Sequence, residues 1–123
     1  MKNILLCDSY KPTRDLVKTV LSCYGFIVSA EESSSSVTDS LNKSTYDVLI
    51  CDYFVKPVSS FELFRTIRGA SDLMVRDTRI LMMTYGALDL EEHKFLRQHH
   101  VYLIPKFKGP EKYFEKINLI TKE

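Results

Sequence analysis

The chain has 123 residues, which is enough for one hydrophobic core and too few for two. Its 17 basic and 16 acidic residues leave a formal charge of +1, so no overall field draws it to nucleic acid or to an anionic membrane. No apolar run approaches the ~20 residues that span a bilayer, and the first residues lack the apolar stretch of a signal peptide. We expect one domain over residues 1–123, located in the cytoplasm, that recognises partners through local surfaces.

Five short apolar runs along the chain predict β-strands. Continuous apolar runs of this length are typical of strands that are buried on both faces of a parallel sheet. The runs cover residues 3–8, 26–30, 46–52, 79–84 and 101–104.

Amphipathic segments separate these runs and predict five helices, because their apolar residues recur three and four positions apart. The segments cover residues 13–24, 37–42, 61–69, 89–100 and 110–120. Serines compete for backbone hydrogen bonds, so the helix after the serine tract at 33–36 is expected to begin late or to fray. A polar loop is expected over residues 70–78. The alternation of strands and helices predicts a doubly wound α/β sheet with right-handed crossovers.

Polar side chains follow four of the predicted strands at the point where each strand ends. Asp8 ends the first run, Asp52 the third and Thr84 the fourth, and Lys106 follows the fifth. The carboxyl ends of parallel strands meet at one edge of a sheet, and ligands bind at that edge in open α/β folds. We therefore expect these side chains to share one shallow pocket.

The three cysteines have no spacing typical of a metal site or of a disulfide framework. Cys7 and Cys51 each precede one of the strand-end acids, so they are expected to lie side by side. Two buried free thiols are the favoured interpretation, and a bond between them is the lesser alternative.

These residues give the chain a resemblance, over essentially its whole length, to the receiver domains of two-component response regulators. The motifs that carry the resemblance are ILLCDS, YDVLICDYFVKP, FELFRTIR, ILMMTYGA and VYLIPKF. The resemblance implies a five-stranded parallel sheet of order 2-1-3-4-5 with five helices, which is the flavodoxin-like arrangement. It also implies that Asp52 accepts a phosphoryl group, that Thr84 hydrogen-bonds this group, and that Tyr102 is the aromatic switch residue.

The resemblance further implies a magnesium ion held by the carboxylates of Asp8 and Asp52 and by the backbone carbonyl of Phe54. A hard divalent cation with oxygen ligands neutralises a phosphoryl group as it moves onto a carboxylate. A lysine ammonium, assigned to Lys106, would pair with another phosphoryl oxygen. Movement of Thr84 and this lysine onto the phosphate would then change the surface of nearby helices.

Several positions depart from the pattern of the family. Ser9 stands where a second acid is expected, so the predicted magnesium site is one carboxylate short. Direct alignment puts Pro105 at the position of the lysine, and Lys106 reaches the site only if the chain bulges or shifts by one residue. We also consider the hypothesis that Lys11, Lys56 and Lys106 together supply positive charge that offsets the missing carboxylate.

The leading interpretation is a signalling receiver that accepts a phosphoryl group on Asp52 from a histidine kinase or a phosphotransfer protein. Its downstream partner would be a separate protein or a fused output domain. We do not expect an enzyme, beyond catalysis of its own phosphoryl transfer and slow hydrolysis. We expect no direct binding to nucleic acid or membrane, and a homodimer through the last two helices is left open.

Two alternatives belong to other functional classes. A degenerate receiver would keep the fold and bind a partner without being phosphorylated, and Ser9 and Pro105 favour it. An aspartyl phosphohydrolase or a flavin protein would use the same sheet. The phosphohydrolase would need a second acid where Phe54 stands. The flavin protein would need a phosphate-binding turn richer in glycine or hydroxyl groups after the first strand.

Overall fold

Strands and helices alternate along the chain in the computed structural model, which describes residues 1–106 and 109–122. The strands are β1 (Asn3–Cys7), β2 (Ile27–Glu31), β3 (Val48–Asp52), β4 (Arg79–Thr84) and β5 (Val101–Pro105). The helices are α1 (Lys11–Cys23), α2 (Ser34–Lys43), α3 (Ser60–Arg68), α4 (Leu73–Arg76), α5 (Leu90–Gln98) and α6 (Pro110–Ile120). No helix within the described residues has the length and apolar character needed to cross a membrane.

The five strands form one parallel sheet in the order β2-β1-β3-β4-β5. This finding confirms the predicted α/β class and strand order. The central strand β3 is buried along its whole length, which explains its continuous apolar sequence. Pairing stays in register to the ends of the strands, so Asp52 lies opposite Met83 and Thr84 lies opposite Pro105.

Successive residues of each strand enter two separate cores on the two faces of the sheet. In β1, Ile4 and Leu6 pack beneath α1 and α6, whereas Leu5 and Cys7 pack beneath α2, α3 and α5. Cys7 lies opposite Cys51 in the register, and both are buried free thiols, as favoured from the sequence. A hydrogen bond with Cys7 and burial together raise the pKa of Cys51, so this thiol stays protonated at neutral pH.

The serine tract begins helix α2 and does not delay it. The hydroxyl of Ser33 caps the helix by accepting a hydrogen bond from the backbone N–H of Ser35 at 3.1 Å. The hydroxyls of Ser36 and Ser40 donate to the carboxylate of Glu31 at 2.9 and 2.8 Å. The prediction of a late start near residue 37 was wrong, because Ser33 caps the helix and a carboxylate from β2 engages the hydroxyl of Ser36.

The segment predicted to be a polar loop over 70–78 contains the one-turn helix α4. Its N-cap is Asp72, whose carboxylate accepts a hydrogen bond from the backbone N–H of Met74 at 2.9 Å. The described residues therefore contain six helices, one more than predicted.

Arg68, at the end of α3, holds the ends of α4 and α5 against the sheet. Its Nε donates to the carbonyl of His99 at 2.7 Å, and its Nη2 donates to the carbonyl of His100 at 3.3 Å. Its Nη1 donates to the carbonyls of Arg76 and Thr78, both at 2.7 Å. We call the guanidinium and these four carbonyl groups the Arg68 clamp. It satisfies carbonyl groups that a helix leaves unpaired at its C-terminus.

A row of aromatic side chains runs between α3 and α5. Tyr53 meets Phe61 edge-on with 5.6 Å between ring centres, and Phe61 meets Phe95 at 5.2 Å. Phe95 stacks on the ring of His99 at 4.0 Å. The row thus extends from the residue after Asp52 to the opposite end of the sheet.

Candidate phosphoryl-acceptor site

Three elements deliver charged side chains to the carboxyl ends of the strands. Asp8 directly follows β1, Asp52 is the last residue of β3, and Lys106 directly follows β5. They are 1%, 4% and 6% exposed, although charged groups are rarely buried without partners. We call these three residues the Asp8–Asp52–Lys106 cluster.

The ammonium of Lys106 joins the two carboxylates. Its Nζ donates to Oδ2 of Asp8 at 2.9 Å and to Oδ1 of Asp52 at 2.8 Å. The β4–β5 pairing is unbroken as far as Thr84 and Pro105, and the backbone N–H of Lys106 donates to the carbonyl of Thr84 at 2.8 Å. Lys106 therefore reaches the acids directly after the strand, one residue later than the family pattern expects.

Helix α1 supplies two further partners of Asp8 that sequence reasoning missed. Thr13 donates its hydroxyl to Oδ2 of Asp8 at 2.7 Å, and Arg14 donates from Nη1 to the carbonyl of Asp8 at 2.9 Å. The backbone N–H of Tyr10 donates to Oδ1 at 3.0 Å. The only sequence signal for Thr13 is its place in the first turn of the helix that follows Asp8.

Burial and the ion pairs act against each other in the cluster. Burial raises the pKa of Asp52 above its usual value, and the hydrogen bond and charge of Lys106 oppose this rise without cancelling it. Burial alone would lower the pKa of Lys106, but hydrogen bonds to Asp52 and Asp8 raise it above its usual value. The ammonium thus lies between the two carboxyl groups and partly offsets the effect of burial on Asp52.

Tyr113 of α6 is a buried neighbour of the cluster. Burial raises its pKa, and the charges of Asp52 and Asp8 raise it further, so the phenol stays neutral. Its hydroxyl donates to the sulfur of Met83 at 3.3 Å. This buried contact links α6 to the residue opposite Asp52 in the sheet.

Two other predicted participants, Thr84 and Phe54, contact residues of the cluster, as does Tyr85. Thr84 is partly buried, and its hydroxyl donates to the carbonyl of Gly86 at 3.4 Å. Phe54 is 68% exposed, and its backbone N–H donates to Oδ2 of Asp52 at 3.3 Å. The Tyr85 ring lies over the ammonium of Lys106, with 5.2 Å from Nζ to the ring centre.

Tyr102 is the predicted residue that lies apart from the cluster. It pairs with Leu81 in the register, three residues before the end of β5, and its ring lies 5.9 Å from Nζ of Lys116 on the α6 face. Val101 and Leu103 are the β5 residues that pack in the core beneath α5. The switch role of Tyr102 stays a prediction from the VYLIPKF motif, whose final Phe107 lies outside the described residues.

Of the three lysines considered as sources of positive charge, Lys106 contacts the acids. Lys11 pairs instead with Asp15 in the same helix at 2.6 Å. The backbone N–H of Lys56 donates to the hydroxyl of Ser9 at 3.3 Å, and that hydroxyl donates to the carbonyl of Glu32 at 2.9 Å. Ser9 therefore ties the loop after β3 to the end of β2.

The donor set does not fit a magnesium ion. Magnesium requires near-octahedral oxygen ligands and tolerates little distortion. Here the ammonium bridges Asp8 and Asp52, and Ser9 adds no negative charge and uses its hydroxyl elsewhere. The described residues contain no group of three or more acidic, histidine or cysteine side chains that could hold a metal.

No protein-family model matches the sequence, and none of the curated proteins matches it by sequence. Solved receiver structures match its fold closely. Chemotaxis response regulator CheY4 of Vibrio cholerae superimposes with a TM-score of 0.82 at 21% identity, over 95% of this chain and 98% of that one. A two-component response regulator from Clostridium difficile gives 0.86 at 19% identity, over 100% and 98% of the two chains.

A third match is the receiver domain of a sensor histidine kinase from Pseudomonas aeruginosa, which holds a magnesium ion in its active-site cleft. It gives a TM-score of 0.87 at 16% identity, over 99% of this chain and 98% of that one. The class defined by sheet order and helix arrangement is the open α/β fold of flavodoxin type. More particularly, the chain has the receiver fold, which confirms the resemblance at the level of structure.

Proposed function

We propose that the chain is one receiver domain of two-component signalling and that Asp52 accepts a phosphoryl group. The observation that carries this proposal is the convergence of Asp8, Asp52 and Lys106, from three strands, in one buried cluster at the strand ends. A buried cluster of opposite charges adds little net stability, because removal of both ions from water is costly. A role in chemistry explains why such a cluster stands there.

The proposed reaction forms a P–O bond at Asp52. A carboxylate oxygen attacks the phosphorus of a phosphohistidine, the P–N bond breaks, and the imidazole nitrogen keeps the electron pair. The product is a mixed anhydride between the Asp52 carboxyl group and phosphate. The ammonium of Lys106 pairs with a phosphoryl oxygen as charge builds up, which lowers the barrier because the donor is already in position.

Thr84 would respond once the phosphoryl group is in place. A rotation of its side chain would exchange the long 3.4 Å contact with Gly86 for a hydrogen bond to a phosphoryl oxygen. The loop from Tyr85 to Leu88 and the start of α5 follow Thr84, so this rotation would alter the surface that they present. Tyr102, from its place on β5, is proposed only as a secondary participant.

The proposed partners are a histidine kinase or a phosphotransfer protein upstream and a protein or fused output domain downstream. A cytoplasmic location follows from these partners. The chain would catalyse no reaction beyond its own phosphoryl transfer and slow hydrolysis. Self-association through α5 and α6 remains part of the proposal, whereas direct binding of nucleic acid or membrane does not.

A degenerate receiver is the second candidate, and the contacts of Ser9 favour it. The hydroxyl of Ser9 links the carbonyl of Glu32 to the backbone of Lys56, so the position of the second acid has a structural use. Such a domain would bind its partner equally well without phosphorylation.

Intact mass spectrometry after incubation with acetyl phosphate tests the proposal. We expect a gain of one phosphoryl group in the wild-type chain and none in Asp52→Asn. The matched control is Asp39→Asn, which changes an exposed acid on α2 and should be labelled like the wild type. An unlabelled wild type, or equal labelling of Asp52→Asn, would favour the degenerate receiver.

A further inference from the structure

We propose that the Lys106 ammonium takes the place of the divalent cation, so that phosphoryl transfer to Asp52 proceeds without magnesium. This inference rests on the proposed function of Asp52. It concerns which positive charge serves that function.

The ammonium of Lys106 already lies between the two carboxylates that would hold a metal ion. Nζ of Lys106 lies within 2.9 Å of one oxygen of Asp8 and within 2.8 Å of one oxygen of Asp52. Because magnesium binds oxygen at about 2.0–2.1 Å and demands regular geometry, it could reach both carboxylates only by displacing the ammonium or by using their other oxygens.

Displacement of the Lys106 ammonium would cost free energy, because the ion pairs are buried. The side chain of Lys106 is only 1% exposed, and those of Asp8 and Asp52 are 1% and 6% exposed. Displacement of the ammonium would break both ion pairs and leave a buried positive charge without its anionic partners. A magnesium ion would therefore have to offset this loss as well as its own dehydration.

Few oxygen atoms near Asp8 are available to bind a magnesium ion. Oδ1 of Asp8 accepts from the backbone of Tyr10, and Oδ2 accepts from Thr13 as well as from Lys106. Ser9 stands where a second acid would supply charge, but it is neutral and hydrogen-bonded to Glu32. Two carboxylates with engaged oxygens and one neutral hydroxyl are a poor exchange for the water shell of magnesium.

A lysine ammonium can stabilise the negative charge of a phosphoryl group during its transfer. It is a compact point charge with three donors, and lysine is an established ligand of phosphoryl oxygens. One donor could turn from Asp52 to an incoming phosphoryl oxygen while another keeps the contact with Asp8. The charge is thus positioned before the reaction starts, which is the condition for effective electrostatic stabilisation.

Labelling rates with acetyl phosphate, measured by intact mass in EDTA and in magnesium chloride, test the inference. We expect the two rates of the wild type to differ by less than about twofold, because the cation is part of the chain. In Ser9→Asp, which supplies the second acid, magnesium should raise the rate at least about tenfold. In Lys106→Met, labelling without magnesium should fall at least about tenfold. A wild-type rate that depends on magnesium by tenfold or more would overturn the inference.

Direct magnesium binding separates failure of this inference from failure of the proposed function. Titration of the wild-type chain with magnesium chloride, followed by the NMR signals of the Asp8 and Asp52 amides, requires no phosphorylation. We expect no saturable shift in the wild type and a saturable shift in Ser9→Asp. A wild type that is never labelled would contradict the proposed function of Asp52. Saturable magnesium binding by the wild type would overturn the inference about Lys106, whether or not labelling occurs, and absence of magnesium binding would support that inference.

Discussion

The buried Lys106 and the partly buried Arg68 are held by different kinds of partner, and the difference separates the proposed phosphoryl-acceptor site from a structural contact. Lys106 lies between the carboxylates of Asp8 and Asp52, whereas Arg68 donates to four backbone carbonyl groups. Burial lowers the pKa of Arg68, whereas the acids around Lys106 raise its pKa. Both cations are satisfied, but only the lysine is held by groups that could exchange it for another partner.

The Arg68 clamp stabilises the fold, whereas the Asp8–Asp52–Lys106 cluster reduces its stability through the burial of charge. The Arg68 clamp joins three helix ends with neutral acceptors, so it tightens the structure without adding charge repulsion. The Asp8–Asp52–Lys106 cluster holds two acids close together, and the raised pKa of Asp52 shows that burial disfavours its charged form. Substitutions at the two places should therefore differ in size, in sign and in pH dependence.

The largest effect is expected for Lys106→Met. Loss of the ammonium leaves two buried carboxylates without a cation, so the free energy of unfolding should fall by about 3 kcal/mol at neutral pH. Without the ammonium the folded-state pKa of Asp52 would lie still further above its unfolded value, so stability lost at neutral pH returns as the pH falls toward about 4. Urea unfolding at several pH values measures this. Lys18→Met, an exposed lysine of α1, is the control, and a deficit independent of pH would contradict the prediction.

A smaller effect, without that pH dependence, is expected for Arg68→Met. Four carbonyl groups lose their donor, but water can reach some of them because Arg68 is only partly buried. The free energy of unfolding should fall by about 2 kcal/mol. Arg68→Lys should recover only part of this, since one ammonium cannot match the planar set of donors. Urea unfolding that shows equal stability for Arg68→Lys and the wild type would remove the clamp from the comparison.

Asp52→Asn is expected to change stability in the opposite direction. The folded-state pKa of Asp52 is raised, so folding disfavours its charged form at neutral pH, and a neutral amide should raise the free energy of unfolding by less than Arg68→Met lowers it. The gain should vanish as the pH falls below the unfolded pKa, because the wild-type carboxyl is then neutral too. Thermal unfolding at neutral and acidic pH measures it. A destabilised Asp52→Asn at neutral pH would mean that the ion pair outweighs burial.

The smallest effect is expected for Thr13→Val. This substitution keeps the shape of the side chain and removes the donor to Oδ2 of Asp8. The free energy of unfolding should fall by roughly 0.5 kcal/mol, because Asp8 keeps its bonds to Lys106 and Tyr10. Thr19→Val, an exposed threonine of the same helix, controls for helix propensity. Equal urea midpoints for the two variants would show that Thr13 adds nothing to the cluster.

The sheet could be predicted from the sequence because strands that are buried on both faces have continuous apolar sequences. The run that ends at Asp52 and the run of β4 correspond to strands that are buried along most of their length. The same logic placed Asp8 and Asp52 together, since parallel strands share one edge. These predictions needed no knowledge of side-chain contacts.

What the sequence could not predict depends on partners that are distant along the chain. The sequence predicted a shared pocket for Lys106 and the acids, but not that its ammonium bridges Asp52 and Asp8, which is 98 positions away. Ser36 and Ser40 belong to a regular helix because Glu31 from the neighbouring strand engages their hydroxyls. In each case tertiary contacts decided between local options that the sequence left balanced.

The aromatic row connects the residue next to Asp52 with His99 at the end of α5, where a structural change could be observed by NMR. Tyr53 follows Asp52 directly, and the rings of Phe61 and Phe95 connect it to His99. His99 also holds the guanidinium of Arg68 through its carbonyl. Aromatic rings shift the magnetic resonance of the protons above them, so the imidazole of His99 is a built-in spectroscopic probe. Its proton signals would report a tilt of the Phe95 ring stacked on it, and so a movement relayed along the row, without any label attached to the chain.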